Sequence, residues 1–453
     1  MFKRLKILLQ EELRKVTLSD RVEVATPDLH AFVARQPVFD KNNRIWGYEL
    51  LYRRPDNTQS ANFISGTAAT ASVIINGFEM VRPSLKKKQK VLINFTSDLL
   101  ETQISSLLPV ESCIVEILED VQPTPEVLQS IAVIKEKGYT IALDDYVGQE
   151  HLQPFIPLSD IIKIDVLDLA PRQIAALLLN VRGTQFKGLY LAEKVEDQKT
   201  ATVCRELGFS LFQGYFFSKP ELLQGKRLSP SQAVRMRILS LCVGDNVDLE
   251  AVSDAVMHDP LITARFLKFI NSAYFSLRQP IQSVRHALAI AGPITFMQWL
   301  CVNILTTLEN SRASHDLAYL ASQRAKFLES LGSKRIPGKS PGPDVSPPAL
   351  FLTGLFSLLE SALHVPLKEI LDGIPLDDDI VNALHGKESP YSAWLKLVHL
   401  YEHGQWQECI DLAHTLGLSE KDIAKAYAKA MDWGAALFPT DSVSSREKRH
   451  FSP

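Results

Sequence analysis

The stretch "IALDDYVGQ", residues 141–149, is an apolar run that ends on two adjacent acids. Before it lies "PEVLQSIAVIKEKG", 125–138, with apolar residues at helical spacing and a closing glycine of the kind that terminates helices. A helix, a short buried strand and a polar strand end make one unit of an α/β fold. Asp144 and Asp145 pose a chemical question as well, because neighbouring carboxylates repel unless a cation, a proton or solvent lies between them.

Working outward, the same unit recurs. Strand-like runs are "HAFVARQPVF" (30–39), "IWGYELLYR" (45–53), "KVLINFT" (90–96), "CIVEILE" (113–119), "TIALDDY" (140–146), "IIKIDVL" (161–167), "GLYLAEKV" (188–195) and "SLFQGYFF" (210–217). Helical patterns separate most of them. Eight such runs in about 190 residues predict a closed α/β barrel of the TIM type. The first two runs are joined only by "DKNNR", too short for a parallel crossover, so one strand is expected to be antiparallel.

Beyond residue 229 the strand signal stops, and segments such as "LITARFLKFINSAYF" and "ITFMQWLCVNILTTLEN" carry helical periodicity. The expected order is an N-terminal helical extension (1–29), the barrel (30–228), an all-α domain (229–438) with a flexible insert at 336–348, and a disordered tail (439–453). Ser346 before Pro347 forms a helix start after the insert.

The 453 residues are 46% hydrophobic and 22% charged, ample for more than one core. A net charge of -3 offers no bulk attraction for nucleic acid. Five cysteines, at 113, 204, 242, 301 and 409, show no metal-ligand spacing and fit reduced thiols in a cytoplasm. The N-terminal "MFKRLKILLQEELRK" lacks the form of a signal peptide, and no uninterrupted apolar run reaches the roughly 18 residues of a bilayer span.

In an α/β barrel the C-terminal strand ends form the functional face. At or near those ends stand Glu49, Asn94, Glu116 with Glu119, Asp144 with Asp145, Lys163, Glu193 and Gln213. Carboxylates with an amide, and no histidine or cysteine among them, suit hard cations such as Mg²⁺ or Mn²⁺ and disfavour zinc. Two such ions would let the paired aspartates stay ionised and would hold both reacting oxygens of a phosphodiester.

These residues carry a family resemblance. "ARQPVFDKNNRIWGYELLYR", "INFT", "EILED", "LDDY", "IKID", "AEKVE" and "FQGYFFSKP" resemble, in order, the motifs of EAL domains, phosphodiesterases that open cyclic di-GMP to linear pGpG. "HDPLITARFLKFINSAYF" and "PIQSVRHALAIAG" are similar to HDOD domains, and the tandem resembles bacterial EAL–HDOD signalling proteins. The resemblance implies that Glu49, Asn94, Glu116 and Asp144 hold one Mg²⁺ or Mn²⁺ and that Asp144, Asp145 and Glu193 serve a second. It implies that Lys163 orients or deprotonates the attacking water, with Glu49 and Asp145 also in the catalytic set. Gln36, Arg53, Gln213 and Glu196 would face the substrate, and Glu119 would brace the loop after Asp145. It further implies a protein partner for the HDOD half, pairing of barrels into a homodimer, and control of motility or surface attachment. The alternative reading is a cyclic di-GMP receptor or scaffold without turnover.

Six residues at three places depart from the family. Tyr146, Val147, Gly148 and Gln149 replace the usual Phe-Gly-Thr-Gly, Leu118 stands where threonine is usual, and Lys194 where glycine is usual. The loop after the paired aspartates couples substrate, metal and dimerisation in the family, so its change bears on turnover more than on binding.

Other metal-like patterns read as structural. His258-Asp259 looks like a turn, Ser314 with Asp316 like a helix start, and "HLYEH" (399–403) like surface histidines on a helical hairpin. "KKKQK" (86–90) reads as a solvated loop.

Overall fold

The computed structural model describes residues 33–52, 63–214, 239 and 260–438, apart from 87, 185, 309–311, 336–340, 342–343, 364 and 372–373. The expected extension at 1–29, the boundary at 228/229, Arg53, His258-Asp259, most of the proline-rich insert and the tail from 439 lie outside these residues.

Eight strands close into a barrel: β1 (Val33–Asp40), β2 (Ile45–Tyr52), β3 (Lys90–Phe95), β4 (Cys113–Ile117), β5 (Thr140–Leu143), β6 (Ile161–Asp165), β7 (Leu189–Glu193) and β8 (Leu211–Phe212). β1 runs antiparallel to both neighbours and the remaining pairs are parallel, as the five-residue link predicts. Asp40 closes that link by accepting hydrogen bonds from the backbone N–H groups of Asn42 (2.8 Å) and Arg44 (3.0 Å). The crossovers use α1 (Phe63–Val81), α2 (Ser97–Glu101), α3 (Pro125–Glu136), α4 (Pro171–Arg182) and α5 (Gln198–Leu207). Between β5 and β6 the chain takes only a 3₁₀ segment, Glu150–Leu158, because Pro154 and Pro157 prevent a regular helix.

Downstream, the described residues are helical: α6 (Pro260–Ile270), α7 (Val284–Leu308), α8 (Arg312–Gly332), α9 (Pro347–Phe356), α10 (Leu359–Leu363), α11 (Leu367–Leu371), α12 (Asp378–Leu384), α13 (Ser392–Glu402), α14 (Trp406–Thr415) and α15 (Glu420–Leu437). The Ser346 hydroxyl accepts from Ala349 N–H at the start of α9, as expected. By length and composition alone, Val284–Thr306 is apolar enough to cross a membrane. Gly292, with φ 71 and ψ 164, breaks the helix, and the regular stretch 293–308 is about 24 Å long, short of a bilayer core. Its Phe296, Trp299 and Leu300 are buried among α6, α9 and α15.

A hairpin leaves β1 without a crossover helix, and the helical half fills that place. Tyr401 of α13 donates to the Val33 carbonyl (2.9 Å), and Trp394, Tyr401 and Tyr427 belong to the same apolar cluster as Val33 and Leu50. Arg35, 3% exposed, is the polar centre of this junction. Its guanidinium donates to Ser84 Oγ (2.6 Å), Tyr319 Oη (2.7 Å) and Gln323 Oε1 (2.9 Å), and lies 4.1 Å from the Tyr48 ring centre.

A second tie corrects two expectations. Asp316 lies within α8 rather than at its start, and its carboxylate accepts from Ile45 N–H (3.0 Å) and pairs with Lys86. Ser314 donates to the Ala362 carbonyl instead of capping. Lys86 of the lysine-rich segment is therefore a joint residue, and Gln89 supports it within the barrel by accepting from Lys86 N–H (2.8 Å) and donating to the Ile45 carbonyl (3.1 Å).

Arg35→Met is expected to destabilise the protein by about 3 kcal/mol in urea unfolding, because three buried acceptors lose a charged donor. Arg35→Lys should recover little, since an ammonium cannot reproduce the fork. A loss below about 1 kcal/mol would show that the junction rests on its apolar contacts alone.

Candidate functional site

Alternation along each strand builds the barrel interior in layers. Val38, Leu92, Ile114, Ala142, Ile161, Leu191 and Leu211 form one apolar layer. β2 contributes Gly47 at that level, where a Cβ would meet the Lys90 carbonyl oxygen at 2.6 Å. Two residues farther toward the mouth, every strand presents a polar group: Glu49, Asn94, Glu116, Asp144, Lys163, Glu193 and Gln213, with Gln36 two residues before Val38 on the reversed β1. The apolar layer shuts off one end, and the polar layer is a ring open only toward the strand ends.

Lys163 is the hub. Its ammonium, 1% exposed, donates to Asp144 Oδ1 (2.7 Å) and Glu49 Oε2 (3.3 Å), lies 2.9 Å from Glu193 Oε1, and touches Glu116. Three N–H donors cannot serve four carboxylates. The ammonium is shared thinly: Glu116 is engaged by it through Oε1 alone, and Glu116 Oε2, Glu193 Oε2, Asn94 Oδ1 and Gln213 Oε1 are left without a donor. Burial, opposed by Lys163 and reinforced by neighbouring acids, pushes the Glu116 and Glu193 carboxyls well above their usual range. Burial alone would depress Lys163, but the surrounding carboxylates raise it well above the usual lysine value.

Supporting contacts fix the ring. Gln213 Nε2 donates to Glu49 Oε2 (2.7 Å) and to Gln36 Oε1 (2.8 Å). Tyr52 Oη donates to the Asn94 carbonyl (2.6 Å), a support the sequence does not announce. Gly214 follows at φ 144, where a Cβ would collide with Val195 N at 2.3 Å.

Asp145 stands at the mouth with φ 40, and one carboxylate oxygen each of Glu119, Asp144 and Asp145 lie within 4.8 Å of one another. Burial and then Asp144 raise the Asp145 carboxyl, against Lys194 and Lys163. The loop beyond is closed by Gln149, whose Nε2 donates to the Asp145 carbonyl (2.9 Å) and whose Oε1 accepts from Val147 N–H (2.8 Å). Tyr146 is fully buried and its hydroxyl accepts from Gln153 (2.9 Å). Lys194 has φ 51, the left-handed conformation that favours glycine, and its ammonium pairs with Asp165.

The donor set fits hard divalent cations. It is all oxygen apart from Lys163, and its orphaned acceptors are buried where water reaches them poorly. Glu196 is exposed beyond β7 and Arg53 lies outside the described residues. Among the described residues the helical decoys hold no such set: Glu402 of "HLYEH" pairs with Arg324 (2.6 Å), and the His399 and His403 rings lie against each other at a 38° tilt, half-buried rather than on the surface.

Comparison with known proteins follows the same division. The EAL domain matches residues 30–220 and the HDOD domain residues 228–331. Uncharacterized protein YuxH of Bacillus subtilis is 31% identical over 415 residues, covering 89% of this chain and 98% of its own. Cyclic di-GMP phosphodiesterase CdgJ of Vibrio cholerae is 29% identical over 406 residues, covering 89% and 92%. The structure of the Bacillus subtilis YkuI protein, with an EAL domain, in complex with substrate c-di-GMP and calcium, is 18% identical over 60% of this chain and 74% of that one, with a TM-score of 0.37.

Proposed function

The chain belongs to the proteins in which an EAL domain is followed by an HDOD domain, and from that premise we propose that it is a phosphodiesterase opening cyclic di-GMP to linear pGpG at the barrel mouth. We take 30–228 as the catalytic barrel and 229–438 as the domain that regulates it or carries a protein partner. The reading rests on one observation: a buried ring of oxygen acceptors converges on Lys163 with several of them left unpaired.

Charge supports two ions. Glu49, Glu116, Asp144, Asp145 and Glu193 carry five negative charges when ionised, Lys163 carries one positive, and the remaining four equal the charge of two divalent cations. In this reading Glu49, Asn94, Glu116 and Asp144 hold one Mg²⁺ or Mn²⁺, and Asp144, Asp145 and Glu193 the other. The ions, when bound, neutralise the phosphodiester and lower the pKa of the attacking water. Lys163, already an ammonium, orients that water as a hydrogen-bond donor and relays its proton, giving one to the leaving ribose oxygen as it takes one from the water. Gln213 keeps Glu49 in register, Gln36 steadies Gln213, Glu119 braces the loop at Asp145, and Arg53 and Glu196 face the nucleotide. Water adds to phosphorus as the ester P–O bond breaks, leaving a 5′-phosphate and a ribose hydroxyl.

Nucleotide binding without turnover is the second reading, and the loop favours it: Gln149 ties the segment after Asp145 to itself. The test is full-length protein with Mn²⁺ and cyclic di-GMP, the nucleotides then being separated. Appearance of pGpG supports the enzyme. Intact nucleotide that co-purifies with protein leaves the receptor, and no binding at all overturns both. Mn²⁺ at a hundredfold excess over its Kd should stabilise the protein by about 2.7 kcal/mol, and EDTA should abolish the gain.

A further inference from the structure

A cavity of about 540 Å³ opens between α8, α12 and α13, and none of its lining residues comes from the barrel. Its lining includes the cationic or imidazole side chains of Arg324, His385, Lys396 and His399. Apolar residues, chiefly Leu384, Leu395 and Val398, lie beside them. Ser357 and Ser392 add hydroxyls, and no aspartate or glutamate lines the space.

The arrangement is partly pre-set. On α13, Ser392, Leu395, Lys396 and His399 fall at i, i+3, i+4 and i+7, so one helical face supplies four lining groups. Arg324 is held by two hydrogen bonds to Glu402 (2.8 and 2.6 Å) and one to Ser357 Oγ (3.3 Å). Glu402 stands behind the guanidinium rather than in the cavity, so Lys396 adds charge that this pair does not cancel. His385 Nδ1 donates to the Val381 carbonyl (2.8 Å), so as an imidazolium it keeps its Nε2–H for an anion.

We propose that this cavity is a binding site for a phosphorylated small molecule, its phosphate held by Lys396, His385, His399 and Arg324 and its organic body laid against Leu384, Leu395 and Val398. The volume falls within the roughly 300–1,000 Å³ of small-ligand pockets. Donors converging from α8, α13 and the end of α12 suit a phosphate better than a single carboxylate, which takes fewer hydrogen bonds. The site also connects to the barrel. Arg324 and Glu402 line a second, smaller cavity together with Arg35 and Gln36, one on each face of β1. Occupancy is thus placed to act on the strand that steadies Gln213 and Glu49.

The test uses the full chain in EDTA, where the uncompensated acids at the barrel mouth repel anions. Calorimetry with 5′-guanylate, 5′-adenylate and ribose 5-phosphate is run against guanosine, adenosine and ribose. At least one phosphorylated probe should bind saturably at one site while its dephosphorylated partner does not. Lys396→Glu and His385→Ala should each weaken it tenfold or more with melting temperature unchanged, and Lys187→Glu, at an exposed barrel residue, should leave it intact. The proposal is overturned if no phosphorylated probe binds, if the dephosphorylated partner binds equally, or if Lys396→Glu has no effect. The result is independent of whether the barrel hydrolyses anything.

Discussion

Glu116→Gln is expected to remove hydrolysis, by on the order of a hundredfold or more in kcat, while making the metal-free protein more stable. Both effects come from one position. Glu116 is completely buried, its Oε2 has no donor, and it shares Lys163 with three other acids. Such a carboxylate suits a cation and burdens the fold when none is present. Burial first, then Glu49 and Asp144, hold its proton well above the usual carboxylate range against the pull of Lys163. The unfolded chain releases that proton near pH 4.3, so across the window above it the folded chain binds more protons and stability falls as pH rises. Glutamine has no proton to lose. The variant's advantage should therefore be small at pH 4, grow with pH, and reach about 1–2 kcal/mol at pH 8 in EDTA. With Mn²⁺ the order should reverse, because the wild-type protein gains the ion and the variant gains less. Thermal unfolding at several pH values, with and without Mn²⁺, checks all three. A variant less stable in EDTA at pH 8 would mean that Glu116 serves the fold as a partner of Lys163.

The polar ring is legible in the sequence because it follows from two simple rules. A strand packed in a barrel is apolar until it reaches the mouth, and alternation then fixes which residue turns inward. Ala142 and Asp144, Ile161 and Lys163, or Leu191 and Glu193 each state both facts in three residues. The residues beside them are less transparent. Arg35 precedes Gln36 on the same strand but faces outward, where a charged residue ordinarily meets water; it is buried only because Tyr319 and Gln323 arrive from almost three hundred positions away. Lys86 and Asp316 are hidden by the same cause. A lysine-rich run and a His-Asp pair have innocuous local readings, and only the missing helix over β1 would have told that something must cover that strand. The hold of Gln149 on Asp145 is likewise invisible, since it depends on the loop's left-handed turn at Asp145 and again at Gly148.

Lys163→Met should separate the two duties of that side chain. Without metal, the ammonium is the cation that four carboxylates share, and methionine keeps its length while removing its charge. Leaving buried acids uncompensated costs about 3–5 kcal/mol, so the variant in EDTA at pH 8 should unfold at markedly lower urea. The deficit should shrink as pH falls, because the acids then take up protons and no longer need a counterion. Mn²⁺ should restore most of the stability, since divalent cations can replace an ammonium as counter-charge. Turnover distinguishes the roles. If Lys163 only balances charge, saturating Mn²⁺ returns kcat along with stability. If it orients the attacking water and handles its proton, the Mn²⁺-loaded variant refolds to wild-type stability yet stays down by about a hundredfold or more in kcat, with KM little changed. We expect the second pattern. Asp144 and Glu49 aim the ammonium across the ring, and a group needed for charge alone would not have to point at the centre of the mouth.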